Sequence, residues 1–211
     1  MSREPLETTI FLVDDDMAIQ RSFSILLKEV GLPVHAFASA ECFLEHYDPF
    51  QPGCLVLDVR IPGISGLELQ RRLKEMGSAI PIVFITGHGD IPMAVQAMRD
   101  GAVDFLEKPF RDQVVLDAIQ HAIDIDRRRR ERQTEIDAFS NKLEQLTERQ
   151  REILNFLMSG QTTKQVAFAL GISRKTVDFH RTGILEIMEC NSLLKLSYPW
   201  CLLNKPFDLC G

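Results

Sequence analysis

Short apolar runs alternate with longer amphipathic segments over the first 120 residues, and this pattern constrains the fold more than any other feature. The apolar runs have the length of buried strands, whereas the longer segments repeat apolar residues at helical spacing. The predicted strands are 10–13, 34–37, 54–57, 80–85 and 103–106. The predicted helices are 18–30, 39–47, 67–76, 93–99 and a segment that starts near 112. Five such repeats predict an α/β fold, a doubly wound five-stranded parallel sheet with helices on both faces.

Polar residues follow four of these strands, at the sheet edge where ligands of such folds bind. They are Asp14, Asp15 and Asp16 after the first strand, Asp58 after the third, Thr86 after the fourth and Lys108-Pro109 after the fifth. Clustered carboxylates repel each other unless a hard cation neutralises them, and their oxygen atoms suit Mg²⁺. A lysine and a hydroxyl group beside the ion would clamp a transferring phosphoryl group, and an aspartate can itself accept that group as an acyl phosphate.

Each of these residues also has a simpler structural interpretation. An aspartate after a strand is more often a turn residue or a helix cap. Three aspartates at the start of a helix also complement the helix dipole. The conjunction of all four motifs at successive strand ends is what favours a reactive pocket.

These motifs resemble those of the receiver domains of response regulators, which have a flavodoxin-like fold. The resemblance covers about 120 residues. It rests on Phe11-Leu12-Val13-Asp14-Asp15-Asp16, Leu55-Val56-Leu57-Asp58 followed by Pro62-Gly63, Thr86-Gly87 and Lys108-Pro109.

The resemblance implies a role for each carboxylate of the pocket. Asp58 is the phosphoryl acceptor. Asp15 and Asp58 ligate Mg²⁺ directly, together with the backbone carbonyl of Arg60, and Asp14 acts through a water molecule. We expect no separate substrate, because such a domain catalyses only its own phosphoryl transfer and dephosphorylation.

The remaining receiver residues are expected to bind the phosphoryl group or to respond to it. Thr86 bonds a phosphoryl oxygen, and Lys108 pairs with the group through its ammonium, with a cis peptide bond to Pro109. Phe105 occupies the position of the switching aromatic residue, although plain core packing would also explain it. Its turning inward would repack the face formed by helix four, strand five and helix five.

The distribution of charged residues divides the chain into an acidic first part and a basic second part. Residues 1–126 hold 10 Lys and Arg against 20 Asp and Glu, a net of −10, whereas residues 127–211 hold 14 against 10, a net of +4. This asymmetry indicates that only the second part meets a polyanion, although the Arg127–Arg130 run could be a solvated helix face. We predict a receiver domain at 1–124, a charged helical linker at 125–142, a DNA-binding domain at 143–199 and an atypical tail at 200–211.

A helix-turn-helix is predicted from Gln165 to Val177. Gly171 supports the turn and Ser173 caps the second helix, whose N-terminal part would enter the major groove. Together with residues 146–154 and 176–181, this segment resembles the LuxR-type output domain. A receiver domain joined to such an output domain resembles the NarL/FixJ subfamily of response regulators.

The resemblance also implies which residues contact DNA. Phosphate contacts are expected from Lys164, the Ser173 amide, Lys175, Thr176, His180 and Arg181. Base contacts are expected from Asp178, Phe179 and Thr182.

The C-terminal end departs from that family. Glu189 stands where the family usually has glycine after the recognition helix. A fourth helix starting near Ser192 would supply the dimer interface on DNA, and Pro199 is expected to end it after Tyr198. We therefore expect the departure to affect dimerisation more than DNA binding.

The sequence thus predicts a two-component response regulator of the bacterial cytoplasm. A sensor histidine kinase would phosphorylate Asp58, and the modified protein would form homodimers, bind double-stranded DNA and contact RNA polymerase. No apolar stretch reaches the ~18 residues of a membrane span, and the N-terminus lacks the pattern of a signal peptide. The five cysteines form no CxxC pair, so neither zinc nor disulfides are expected.

The sequence argues against two other functions and leaves a third one open. An aspartate-nucleophile phosphatase would place a second aspartate two residues after the nucleophile, where this chain has Arg60. A flavin-binding module needs a phosphate loop after strand one, where three aspartates would repel phosphate. A regulator that acts on a protein partner instead of DNA is compatible with the altered C-terminus.

Overall fold

The structure, a computed structural model, describes residues 7–87 and 91–204. Contacts divide the chain into two compact units, Met1–Arg129 and Arg130–Gly211. Within the described residues, no helix combines the length and the apolar character needed to cross a membrane.

The first unit contains a fully parallel five-stranded sheet, as predicted. The strands are β1 (Thr9–Val13), β2 (Val34–Phe37), β3 (Gly53–Asp58), β4 (Ile82–Thr86) and β5 (Asp104–Glu107). Their spatial order is β2-β1-β3-β4-β5, so that the ends of β1, β3, β4 and β5 lie side by side. The helices are α1 (Met17–Glu29), α2 (Ala40–His46), α3 (Gly66–Glu75), α4 (Ile91–Arg99) and α5 (Asp112–Glu144).

The strands separate two apolar cores because successive side chains point to opposite faces of the sheet. Phe11 and Val13 of β1 belong to a core with residues of α2, α3 and α4. Ile10 and Leu12 belong to a second core with residues of α1 and α5. Burial on both faces explains why the strands are continuous apolar runs and not alternating ones.

Helix α3 begins directly against the end of β3. The Gly66 N–H donates to the Val59 carbonyl at 3.0 Å, and the Ser65 hydroxyl caps the helix by accepting the Glu68 N–H at 3.3 Å. A Cβ on Gly66 would lie only 2.2 Å from the backbone carbonyl oxygen of Asp58. Glycine at this position therefore lets the helix start beside the strand end that carries Asp58.

Helix α5 extends for 33 residues and runs without interruption through the charged segment 125–142. It is followed by α6 (Glu148–Met158), α7 (Thr163–Leu170), α8 (Arg174–Ile187), a 3₁₀-helix (Leu193–Leu196) and α9 (Ser197–Asn204). Capping boxes start two of these helices, that of Thr147 and Gln150 at α6 and that of Thr162 and Gln165 at α7.

The helix-turn-helix formed by α7 and α8 follows the predicted pattern. Gly171 ends α7 in the left-handed conformation at φ +64°, and the Ser173 hydroxyl caps α8 by accepting the Thr176 N–H at 3.0 Å. Ala167 and Val177 are buried in the core of this unit, against which Ile172 packs. That core includes Phe139, Ile153, Leu154, Val166, Ile184 and Met188.

The expectation that Pro199 ends the last helix is wrong. Pro199 is the third residue of α9, which continues to Asn204. The first N–H groups of a helix have no acceptor within the helix, so a proline there sacrifices no hydrogen bond. Trp200 lies beyond the expected end and packs against the core of this unit. Residues 205–211, including Cys210, lie outside the described residues.

Glu189 occupies a position that favours glycine. Its φ is +50°, the one positive value at a residue other than glycine in the described chain. Its N–H donates to the Glu186 carbonyl and the Cys190 N–H to the Leu185 carbonyl, which is the Schellman pattern that closes a helix. The Glu189 carboxylate accepts a hydrogen bond from Lys142 Nζ at 2.7 Å, and this contact lowers the pKa of Glu189.

We predict that Gly66→Ala destabilises the first unit by about 1–3 kcal/mol, because the added methyl group displaces the Asp58 backbone. Urea unfolding of the full chain measures the effect. Gly87→Ala is the matched control, since a Cβ there would meet nothing within 4 Å. Equal unfolding midpoints for the two variants would show that the close approach at Gly66 carries no cost.

We predict that Glu189→Gly raises the melting temperature of the second unit by a few degrees. Glycine adopts the left-handed conformation without a Cβ penalty, and the exposed ion pair that it loses contributes little. Glu189→Ala is the control, because it removes the same ion pair but keeps the Cβ. Calorimetry in which the glycine variant melts no higher than the alanine variant would contradict the prediction.

Candidate functional site

Lys108 joins two carboxylates at the carboxyl edge of the sheet. Its Nζ donates to Asp14 Oδ2 at 2.6 Å and to Asp58 Oδ2 at 2.7 Å. Asp14 follows β1 and is fully buried, and Asp58 ends β3 and is 8% exposed. The strand order places these three residues together although 50 and 94 positions separate Lys108 from its partners.

Backbone N–H groups hold the second oxygen of each carboxylate. The Asp16 N–H donates to Asp14 Oδ1, and the Arg60 N–H donates to Asp58 Oδ1, both at 2.9 Å. Each carboxylate therefore has one oxygen on a backbone donor and the other on the ammonium of Lys108. This arrangement fixes the orientation of both groups before any reaction takes place.

The electrostatics of the pocket combine burial with charge pairing. Burial raises the pKa of Asp14 above its usual value, although hydrogen bonds from Lys108 and the Asp16 N–H act in the opposite direction. Burial alone would lower the pKa of Lys108, but its hydrogen bonds to Asp14 and Asp58 outweigh burial and raise it. Lys108 therefore stays protonated at physiological pH, and one ammonium faces two carboxyl groups.

Thr86 and Phe105 lie on the two strands beside the pocket. Thr86 ends β4 and is 1% exposed, and its carbonyl accepts the Lys108 N–H at 2.7 Å. The Lys108–Pro109 peptide bond is cis, as expected. Phe105 of β5 is half-buried, with its ring centroid 6.0 Å from that of Phe84.

Asp15 is the predicted pocket residue that the structure does not join to the others. Its side chain is exposed, and no hydrogen bond or ion pair connects it to Asp14, Asp58 or Lys108 in the described residues. In residues 7–87 and 91–204, no group of three or more His, Cys, Asp and Glu side chains is arranged to hold a metal ion. The available donors are nevertheless oxygen atoms, the kind that Mg²⁺ prefers.

Two polar contacts near the pocket were not predicted. Gln20 Nε2 donates to the Asp14 carbonyl at 2.6 Å, and Glu41 Oε1 accepts the Ile64 N–H at 3.1 Å in the loop after Asp58. Glu41 and Ile64 are 23 positions apart. Neither contact follows from a periodic pattern or a local motif, because each joins a side chain to the backbone of a different element.

The recognition helix α8 has one buried and one exposed face. Val177 and Ile184 are fully buried and Met188 nearly so, which anchors the helix on the core of its unit. Seven of the nine predicted DNA-contacting residues are exposed: Lys164, Ser173, Lys175, Asp178, Phe179, Arg181 and Thr182. The other two, Thr176 and His180, are half-buried.

An open cleft of about 480 Å³ runs along this exposed face. It is lined by Gln150, Lys175, Asp178, Phe179, Thr182, Gly183 and Glu186. The Phe179 ring is 74% exposed and lies edge-on to the His180 ring at 5.7 Å. A large aromatic ring in water at the predicted base-contacting position suits contact with a thymine methyl group.

Comparison with protein families matches both halves of the chain. The family of response regulator receiver domains matches residues 10–120. The luxR family of bacterial regulatory proteins matches residues 144–197.

Relatives match across both halves. Response regulator protein TmoT of Ectopseudomonas mendocina is 43% identical over 190 residues, which are 90% of this chain and 86% of TmoT. Nodulation protein W of Bradyrhizobium diazoefficiens is 46% identical over 89% of this chain and 82% of its own length. Transcriptional regulatory protein FixJ of Azorhizobium caulinodans is 38% identical over 91% of both chains.

Solved structures agree with these relatives. Response regulator StyR has a TM-score of 0.81 and 43% identity, covering 92% of this chain and 98% of its own. Full-length FixJ from B. japonicum has a TM-score of 0.57 and 36% identity, covering 92% of this chain and 96% of its own. Since both halves match and the relatives span nearly the whole chain, the protein belongs to the NarL/FixJ-type response regulators of two-component systems, transcriptional regulators that join a receiver domain to a LuxR-type DNA-binding domain.

Proposed function

We propose that Asp58 accepts a phosphoryl group from a sensor histidine kinase and that this modification controls sequence-specific DNA binding. The observation that carries the proposal is the ammonium of Lys108 held between Asp14 and Asp58 at the carboxyl edge of the sheet. We assign the receiver function to residues 1–124, the connection to 125–142 and DNA binding to 143–199.

The chemistry is a transfer between a histidine nitrogen and a carboxylate oxygen. An oxygen of ionised Asp58 attacks the phosphorus of the donor phosphohistidine. The O–P bond forms as the N–P bond breaks, and the released imidazole nitrogen takes up a proton. The Arg60 N–H orients the attacking carboxylate, and Lys108 stabilises negative charge on the phosphoryl oxygens.

The receiver also catalyses its own dephosphorylation, and it is otherwise not an enzyme. Water attacks the acyl phosphate of Asp58 and releases inorganic phosphate, which restores the carboxylate. The pocket is open enough for this step, because the Lys108 side chain is 18% exposed and the Asp58 side chain 11% exposed.

Magnesium fits the donors of the pocket. Asp15, Asp58 and the Arg60 carbonyl would hold Mg²⁺ directly, with Asp14 acting through a water molecule. When bound, the ion neutralises charge on the transferring group. Two observations support the fit: the candidate donors are all oxygen atoms, and the two carboxylates on Lys108 exceed its single positive charge.

The response to phosphorylation starts at Thr86 and Phe105. The Thr86 hydroxyl bonds a phosphoryl oxygen and moves inward, which leaves room for the Phe105 ring to turn in. This repacks the face of α4, β5 and α5 and thereby favours homodimers. Two observations support this role: Thr86 and Phe105 lie on neighbouring strands, and the Phe105 ring is half-buried.

The modified protein binds a two-fold DNA site in the bacterial cytoplasm and acts on RNA polymerase. Its phosphate contacts are Lys164, the Ser173 amide, Lys175, Thr176, His180 and Arg181. Its base contacts are Asp178, Phe179 and Thr182. The buried face of α8 supports this register, because anchoring through Val177 and Ile184 leaves Asp178, Phe179 and Thr182 exposed.

We predict that Asp58→Asn abolishes labelling by radioactive acetyl phosphate, because the amide lacks an anionic oxygen to attack phosphorus. Asp117→Asn is the matched control, an exposed aspartate on α5 that should label like the wild type. Circular dichroism establishes that both variants fold. Wild-type stoichiometry in the Asp58 variant would place the acceptor at another residue.

We predict that Arg181→Ala lowers the affinity for a random-sequence DNA duplex by roughly tenfold and reduces the salt slope by about 1. Both the affinity and the slope decrease because the variant makes one phosphate contact fewer than the wild type. Fluorescence anisotropy over a salt series measures both quantities. Lys195→Ala removes the same charge at an exposed site outside α7 and α8 and should change neither. An unchanged slope for the Arg181 variant would show that the proposed register is wrong.

A further inference from the structure

Two local hydrogen bonds hold the ends of the loop between Asp58 and α3, one to a side chain and one to the backbone. The Arg60 N–H donates to Asp58 Oδ1 at 2.9 Å, and the Gly66 N–H donates to the Val59 carbonyl at 3.0 Å. Between these bonds lies the exposed tip, Pro62-Gly63. Ile61, at 7% exposed, packs into the core beneath the loop, whereas the tip itself lies in water, where loops are more mobile. The position of the Arg60 backbone depends on that of the loop to which it belongs.

Glu41 of the neighbouring helix α2 supplies a polar contact beside this tip. Its Oε1 accepts the Ile64 N–H at 3.1 Å, directly after the tip. Gly63 has φ +76°, and a Cβ on it would lie 2.5 Å from the same oxygen. The glycine therefore serves two purposes: it adopts the left-handed turn, and it leaves room for the carboxylate to reach the loop.

The Glu41 carboxylate is ionised when it makes this contact. Hydrogen bonding to its own backbone N–H, and then to the Ile64 N–H, lowers the pKa of Glu41 below its usual value. Glu41 also lies in the first turn of α2, after the cap residue Ser39. A negative charge there stabilises the helix, so Glu41 has a possible structural role that any test must separate from its contact with the loop.

We propose that Glu41 is a positioning residue for phosphoryl transfer to Asp58. By holding the loop tip through Ile64, it keeps the Arg60 backbone in place, and the Arg60 N–H in turn orients the accepting carboxylate. Glu41 touches neither the phosphoryl group nor Asp58. The inference rests on the proposed function, because it gives Glu41 a part in that same reaction.

Two substitutions separate the reach of the side chain from its charge. Glu41→Asp keeps the negative charge at the start of α2 but withdraws the carboxylate from Ile64 by one methylene group. Glu41→Gln loses the charge but keeps an oxygen at the same distance to accept the N–H. Glu45→Asp and Glu45→Gln are matched controls, at an exposed glutamate one turn farther along α2.

The experiment measures the labelling rate of the full-length protein with acetyl phosphate and hydrogen exchange of the peptide that spans 59–66. We expect Glu41→Asp to label roughly tenfold more slowly and to exchange faster in this peptide, as befits the loss of a charge-assisted hydrogen bond. Glu41→Gln should label within about twofold of the wild type, because it retains the acceptor. Both Glu45 variants should behave like the wild type.

The opposite ranking would overturn the inference. If Glu41 acts only through its charge on α2, the aspartate variant will label normally and the glutamine variant slowly. Slow labelling with unchanged exchange at 59–66 would also overturn it, because the loop would not be the link. If the wild type carries no label on Asp58, the proposed function fails and this inference fails with it. A labelled wild type with unaffected Glu41 variants refutes the positioning role alone.

Discussion

The receiver pocket depends on one buried charge cluster, the ammonium of Lys108 between the carboxylates of Asp14 and Asp58. Taking charged groups out of water is costly unless they are paired and hydrogen-bonded. Here each carboxyl group also accepts a backbone N–H, so both have hydrogen-bond partners beside a single cation. An apolar sheet buried on both faces provides the rigid frame in which such an arrangement can persist.

Close packing of the backbone around the end of β3 positions the charge cluster of Lys108, Asp14 and Asp58. Gly66 lets α3 start against the Asp58 carbonyl, and Gly63 leaves room for Glu41 to reach the same loop. These glycines surround the acceptor strand end without carrying any chemistry themselves. Gly66 sets the approach of α3 to the Asp58 backbone, and Gly63 sets the approach of Glu41 to the loop that follows it.

The DNA-binding unit divides anchoring and recognition between two faces of a single helix. Val177 and Ile184 bind α8 to the core, which exposes Asp178 and Phe179. Its departures from the family lie after that helix. Glu189 takes a left-handed conformation without being glycine, and α9 continues through Pro199. Both features alter the C-terminal end while leaving the recognition helix and its cap intact.

Local patterns were sufficient to predict most elements of the fold, since periodicity and caps such as Ser173 act within a few residues. They also predicted which polar residues follow the strands. They failed at Pro199, because the effect of a proline depends on where the helix begins, and α9 begins at Ser197, two residues before it.

The sequence by itself determined the parallel sheet and the helix-turn-helix, because both follow from short-range periodicity. It also put Asp14, Asp58 and Lys108 at strand ends, and the strand order of the fold then brings these three residues together. Only the tertiary structure decided that Asp15 stays apart from that cluster, that Glu41 reaches the loop after Asp58 and that Glu189 pairs with Lys142. Such contacts join side chains to elements far away in the chain. They depend on distances between packed helices, which no local pattern contains.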